Sequence, residues 1–296
     1  MLRIGNLLLI SVLLLASSAF ADTSLYEISK GEHKIYLGGT IHVLRNSDYP
    51  LPDEFEQAYE KAQILVLETD PKKSNSPEFG QRFAQAFMYS DGKNLAQELQ
   101  PKLWQELQSY ADKNQFPLGQ MNMFKAVFVS LSISIAEMQK RGYGLGQGVD
   151  MYFFQKADLA QKPVQELESS DDILQHMKAL TDLDANQVIS STLRDVKKMD
   201  KSLGVALKYW RAGELQKLDK ELAADMRKET PEVYQRLLVD RNNAWLPKIE
   251  KLITTEETEL ILVGALHLSG KEGLLTQLKA RGYDIKPFNA GQRATQ

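Results

Sequence analysis

The residues best suited to chemistry in this sequence belong to a repeated phrase, a short apolar run closed by Gly-x-x-His. It reads Ile35-Tyr36-Leu37-Gly38-Gly39-Thr40-Ile41-His42 near the start and Leu260-Ile261-Leu262-Val263-Gly264-Ala265-Leu266-His267 near the end. The chain holds only four histidines, so two of them in matching surroundings single out His42 and His267. Each apolar run predicts a buried strand, and each glycine predicts a bend or a close backbone approach. Each imidazole then lies just beyond a strand end, where α/β folds place ligand-binding and catalytic groups. A carboxylate reaches the same kind of position in Ile64-Leu65-Val66-Leu67-Glu68. Two imidazoles and a carboxylate are the ligand set of a catalytic zinc, or of another divalent ion such as manganese or cobalt, with one position left open for water. Such an ion lowers the pKa of its water and polarises a carbonyl oxygen, which suits hydrolysis of an amide or ester. Without metal, the same groups offer a His/Glu general base pair.

The elements that must position these groups follow from the pattern. Leu25 to Lys30 and His33 to Leu37 alternate around Gly31-Glu32 and predict a β-hairpin whose second strand delivers the first phrase. His33, beside that turn, is expected to be solvated. A helix from Pro52, with Phe55, Ala58, Tyr59 and Ala62 on one face, leads to the strand ending at Glu68. Strand, helix, strand predicts a βαβ unit and a partly parallel sheet, with His42 and Glu68 on one edge if the two strands are neighbours.

From about residue 78 to 255 the pattern is mainly helical. Candidate helices run Glu78 to Tyr89, Pro101 to Lys113, Met121 to Lys140, Asp150 to Ala160, Asp171 to Leu180, Asp184 to Met199, Ser202 to Ala212, Glu214 to Lys228 and Pro231 to Ile253. Met121 to Ala136 is the most apolar stretch; Lys125 interrupts it and it is short of the roughly 20 residues a membrane span needs, so it is expected to be a buried core helix. Only Pro163 to Glu168 looks like a strand, and it too ends in glutamate. His176 lies on a helix among mixed neighbours and is expected to be a surface or packing residue. Arg241-Asn242-Asn243 has a buried flank, so Arg241 either steers a carboxylate or oxyanion or forms a structural ion pair.

Arg141 to Asp150 carries glycine at 142, 144, 146 and 148. It follows a helix rather than a strand, which excludes a phosphate-binding fingerprint. It is either a mobile loop near substrate, with Gly148 and Asp150 as binding residues, or a plain connector in which Asp150 caps the next helix. The chain then returns to α/β, with a strand Leu260 to Val263, a helix Gly270 to Ala280 containing Gly273 and closed by Gly282, a last strand Tyr283 to Phe288, and a frayed tail. The fold class is therefore α/β, a mixed and partly parallel sheet built from N- and C-terminal strands around a large helical insertion.

Arg3, the apolar run Leu7 to Leu15 and Ala19-Phe20-Ala21 have the form of a cleavable secretory signal, residues 1–21. Cleavage after Ala21 would leave 275 of the 296 residues, 22–296, as one domain large enough for a full core, and would change the net charge from -3 to -4 by loss of Arg3. The expected location is the periplasm or the exterior. The absence of cysteine confines any metal site to His, Asp, Glu or carbonyl oxygen. Acidic and basic residues are mixed, without the basic patch that nucleic-acid binding requires. No integral membrane segment is expected after signal cleavage.

Taken together, Leu37-Gly38-Gly39-Thr40-Ile41-His42, Leu67-Glu68-Thr69, Gly148-Val149-Asp150, Glu166-Leu167-Glu168, Arg241-Asn242 and Val263-Gly264-Ala265-Leu266-His267-Leu268 resemble the TraB/GumN family, related to the Tiki metalloproteases. The resemblance spans nearly the whole chain after the signal. It implies a metal-dependent peptidase with His42, His267 and Glu68 in the active site, Gly39 and Gly264 beside them, and Arg241 and Asn242 as further site residues. The second phrase reads Gly-Ala-Leu-His where many members have a second glycine, which leads us to expect Leu266 to crowd the site. The wider family includes bacterial proteins associated with pheromone shutdown or polysaccharide loci, so the resemblance does not by itself make this chain an enzyme. Two functions are expected: an exported metal-dependent hydrolase acting on a peptide or small molecule, or a non-catalytic periplasmic binding protein for a metal complex, cofactor or peptide.

Overall fold

The computed structural model describes residues 23–288; the expected signal segment and the tail from 289 lie outside the described residues. Six strands form one sheet: β1 (Leu25–Lys30), β2 (His33–Thr40), β3 (Ile64–Leu67), β4 (Val164–Glu166), β5 (Glu259–Gly264) and β6 (Asp284–Pro287). Their order is β4-β3-β5-β2-β1-β6. β4, β3, β5 and β2 are parallel neighbours, while β1 pairs antiparallel with β2 and β6. This is the mixed, partly parallel α/β sheet expected from the sequence.

The βαβ reading needs one correction. β2 and β3 are not neighbours, because β5 from the far end of the chain lies between them. The reason is apolarity: all six residues of β5 are buried, and a strand covered on both faces belongs in the centre of a parallel sheet. The edges go to the short strands β4 and β6, which are partly exposed, and Pro287 in β6 suits an edge because it cannot donate to a ladder.

The longer helices are α1 (Asp53–Lys61), α2 (Pro77–Ala86), α3 (Pro101–Asn114), α4 (Ala126–Lys140), α5 (Val149–Leu159), α6 (Ser170–Lys178), α7 (Ala185–Arg211), α8 (Asp240–Leu252) and α9 (Leu274–Ala280). α1 forms where expected: acidic residues fill its first turn, and Phe55, Ala58 and Tyr59 are buried. The helices expected over Asp184 to Met199 and Ser202 to Ala212 are one continuous helix, α7, about 40 Å long at 1.5 Å per residue. The stretches from Glu214 and Pro231 are interrupted by π-helical turns at Asp219–Ala223 and Gln235–Val239. Gly273 stands before α9, not inside it, and a side chain there would strike the Ser269 carbonyl oxygen at 2.2 Å.

Apolar residues gather in two cores. One covers the sheet and includes Phe55, Phe153, Trp210, Trp245 and all the central strands. The other, built from Leu95, Leu107, Val129, Ile133 and Ile189, holds the helical insertion together. α4 fully buries the stripe Ala126, Val129, Ile133 and Glu137, and its other residues up to Met138 are partly buried, so this apolar stretch packs within the insertion. Among the described residues, no helix is long and apolar enough to cross a membrane.

Candidate active site

The strand order lines up four chain segments along the carboxyl edge of the parallel strands. Glu168 follows β4, Glu68 follows β3, Gly264 closes β5 and His42 follows β2 by two residues. His267 comes from the 3₁₀ turn Ala265–His267 directly after β5. Register explains the convergence: Leu67 pairs with Leu262 and Thr40 with Gly264, so all these ends are level. Glu168 continues the ladder, its amide donating to the Glu68 carbonyl at 2.9 Å.

Glu68 is the centre. Its Oε1 accepts from the Gly264 amide at 2.6 Å and its Oε2 from Arg241 Nη2. His42 Nε2 lies 3.6 Å and His267 Nε2 3.9 Å from the same Oε1. Gly264 leaves the space that these groups share: a Cβ there would stand 2.9 Å from His42 Nε2, 3.4 Å from Glu68 Oε1 and 3.6 Å from His267 Cδ2.

Each imidazole is held from behind. His42 Nδ1 lies 2.8 Å from Asp150 Oδ2, and Thr40 Oγ1 donates to Asp150 Oδ1 at 2.8 Å. His267 Nδ1 lies 2.7 Å from Asn242 Oδ1, whose amide nitrogen donates to the carbonyls of His267 and Glu272 at 3.2 and 2.9 Å. Because Asn242 Oδ1 can only accept, His267 carries its proton on Nδ1 and presents a lone pair on Nε2. Carboxylate or amide support of the far nitrogen is the arrangement that orients metal-binding histidines.

The electrostatics separate the two rings. Asp150 is the largest influence on His42 and, aided by Glu68 and opposed by burial, raises its pKa to about 9. Its side chain is 57% exposed, so water screens part of that pairing. Burial dominates at His267 and lowers its pKa to about 3. Burial pushes the Glu68 carboxyl up, but Arg241, the two histidines and the Gly264 amide outweigh it and hold Glu68 well below the usual carboxylate range. The protein therefore presents a charged His42, a neutral His267 and an ionised Glu68 at neutral pH.

Arg241 is a structural clamp in this arrangement. Its Nε donates to Glu168, its Nη2 to Glu68 and Glu168, and its Nη1 faces His267 Nε2 at 3.2 Å and the Leu237 carbonyl at 3.3 Å. A guanidinium has five N–H donors, and these partners occupy them. The Trp245 ring lies under the guanidinium, 4.5 Å from it, and beside His267 with ring centres 4.5 Å apart. Trp245 Nε1 also donates to Glu168 Oε2 at 3.2 Å.

Among the described residues, no group of three His, Asp or Glu side chains is placed to hold a metal ion; Arg241 bonds the outer oxygen of Glu68 and faces His267 Nε2. Two imidazoles and a carboxylate are the donor types a divalent ion takes, and His42 Nε2 and His267 Nε2 stand 3.6 and 3.9 Å from Glu68 Oε1.

Gly148, Gly39 and Asp150 each have a structural place beside the site. A Cβ on Gly148 would lie 2.2 Å from the His42 carbonyl oxygen, so Gly148 lets the start of α5 cross the His42 backbone. The Val149 amide donates to Ile41 O at 3.0 Å, which carries Asp150 to His42. Gly148, not Asp150, stands at the N-cap. The glycine loop is pinned by Gly144 N to Leu44 O at 3.1 Å and by Tyr49 Oη to Gln147 O at 2.9 Å. Gly39 lets β2 pass the turn after β5, since its Cβ would stand 3.0 Å from Ala265 Cα. Leu266 packs against the sheet core. His33 is exposed, with Nδ1 3.0 Å from Thr255 O.

A family model for the TraB/PrgY/gumN family matches residues 24–287. The chain belongs to this family. The match covers every strand of the sheet and every residue of the candidate site just described. The protein named "Uncharacterized protein YbaP" of Escherichia coli (strain K12) is 24% identical over 248 residues, which cover 84% of this chain and 88% of that protein. The protein of the same name from Shigella flexneri matches to the same extent. No solved structure matches the chain.

Two residues at this candidate site escaped a role in the residue-by-residue reading. Glu168 is buried and anchors Arg241; its signal was the strand that ends in glutamate. His176, expected on the surface or in packing, is partly buried with Nε2 3.9 Å from Glu168 Oε2. Nothing in its helical neighbourhood pointed there, because the approach of α6 to the sheet edge is tertiary.

Proposed function

We propose that this protein is an exported, metal-dependent hydrolase acting on a peptide or related amide, with His42, His267 and Glu68 holding the ion. The observation that carries this reading is the approach of His42 Nε2 and His267 Nε2 to one oxygen of Glu68, at 3.6 and 3.9 Å, beside Gly264, each ring oriented from behind by Asp150 or Asn242. When bound, a divalent ion there supplies Lewis acidity toward a carbonyl oxygen and acidifies a water. Asn242 keeps the His267 proton on Nδ1, so the Nε2 lone pair, which here faces Arg241 Nη1 at 3.2 Å, is the one an ion would take; Asp150 orients His42 in the same way once that ring gives up its second proton. Arg241 fixes Glu68 against rotation. A carboxylate held this far below its ordinary pKa is a weak proton acceptor, which favours Glu68 as a ligand over Glu68 as the base of a metal-free pair. Export through residues 1–21 belongs to the same reading.

Metal analysis of the purified protein is expected to give one divalent ion per chain, lost in His42→Ala and His267→Ala. Turnover of a peptide library is expected to vanish on chelation and in Glu68→Ala, with the fold retained by circular dichroism. Unchanged turnover under either treatment sinks the proposal. One feature favours a second reading, a binding protein without turnover: every Arg241 donor is committed within the protein, leaving none for a developing oxyanion. Metal and ligand capture with no product would select it.

A further inference from the structure

The sheet carries a second buried carboxylate at the opposite end of β5 from the candidate active site. Glu259 opens that strand and has no exposed surface. Its Oε1 accepts from Thr255 Oγ1 at 2.8 Å, while its Oε2 has no hydrogen-bond partner among the described residues. Glu68, by comparison, has both oxygens bonded. A buried carboxylate oxygen left without a donor is costly unless something supplies one, and burial pushes the Glu259 carboxyl above its usual range.

The surroundings indicate what could supply it. Ile64 is the parallel register partner of Glu259, so the pleat puts Ile64, Val66 and Glu259 on one face of the sheet. That face forms one wall of a cavity of about 370 Å³, and the last turns of α8 at Lys248, Lys251 and Leu252 form the other. The volume lies within the range of small-molecule sites, roughly 300–1,000 Å³. The lining joins an apolar wall, Ile64, Val66, Leu167 and Leu252, to the carboxylate. α8 ends at Leu252, so the negative end of its dipole also lies at the cavity and favours a cation. The lining also carries Lys248, which donates to Leu167 O, Lys251, Glu257, and Glu166, which pairs with Lys73 at 2.6 Å.

We propose that this cavity binds a small alkylammonium compound, with Glu259 as counter-ion to the cationic head and the apolar wall against its chain. The cavity is separate from the His42 site, and the proposal stands or falls independently of hydrolysis. Titration of the full chain with n-butylammonium, followed by NMR, is expected to shift the amides of Ile64, Val66, Gln165 and Glu259 saturably. n-Butanol, equal in length and uncharged, is expected to bind at least about tenfold more weakly, as is n-butylammonium to Glu259→Gln. Gln165→Trp, on the exposed edge strand at the mouth, is expected to abolish binding without touching the buried carboxylate, and it serves if Glu259→Gln does not fold. No saturable shift in the native protein, equal affinity for butanol, or unchanged binding in either variant overturns the proposal.

Discussion

At the scale of single residues, the two histidines of the repeated phrase have opposite titration behaviour because their supports differ. His42 leans on a carboxylate and His267 on a neutral amide. The folded pKa of His42, about 9, lies above its ordinary 6.5, so its pairing contributes stability that is complete below about 6.5 and lost as pH rises through about 9. His267 is depressed to about 3, so its contribution is present above about 6.5 and lost as pH falls toward 3. Asp150→Asn is expected to bring His42 back toward its ordinary pKa and to remove the stability difference between pH 6.5 and 9. An NMR titration of the metal-free protein checks this; a His42 pKa still near 9 would assign the shift to Glu68 instead. The types and the phrase made His42, His267 and Glu68 legible in the sequence. The role of Asp150 was not, because its contact with His42 spans 108 residues.

At the scale of elements, what the sequence revealed and what it hid divide by the kind of signal. Strands β1 to β5 and helices α1 and α3 follow local pattern, and they appear within a few residues of expectation. The stretch before Arg241 does not. A helix read straight through from Pro231 would carry one phase to Trp245, but the π turn at Gln235–Val239 changes that phase. The stripe that packs on the sheet is therefore Asn242, Trp245, Leu246 and Ile249, with Arg241 beside it at the site. In the insertion, Glu137 of α4 ties neighbouring helices together. It accepts from Tyr110 of α3 at 2.7 Å and from Lys140 at 3.1 Å, and pairs with Arg141, which also holds Asp200 of α7. Burial pushes its carboxyl up, but these donors outweigh it and lower the pKa from 4.5 to about 2. The difference is on the order of 3 kcal/mol, present above about pH 4.5 and lost as pH falls toward 2. Glu137→Gln is expected to lose roughly 2–3 kcal/mol at pH 7 and much less at pH 2.5. Urea unfolding at the two pH values reads this directly, and an equal loss at both would remove the electrostatic account.

At the scale of the molecule, α7 joins the two cores. Ile189 near its start is in the insertion core, and Trp210 near its end is in the sheet core, where its indole donates to Gly39 O at 2.6 Å. One rigid helix therefore sets the position of the insertion relative to the strand that delivers His42. Ile189→Ala, at a fully buried position, is expected to cost about 2–4 kcal/mol. Because α7 is shared, denaturant unfolding should remain a single transition at lower midpoint. Two transitions would show that the insertion melts alone.

The sequence by itself determined the parts of this protein that depend on local chemistry: apolar strands ending in Gly-x-x-His and in glutamate, and a mixed α/β pattern with a helical middle. Those follow from periodicity and residue type, which act over a few positions. Tertiary structure decided which of these ends meet. The insertion of β5 between β2 and β3 makes His42, Glu68 and His267 one site, and that choice rests on burying an apolar strand on both faces. The same insertion leaves Glu259 buried at the other end of the strand, with one oxygen without a hydrogen-bond partner among the described residues.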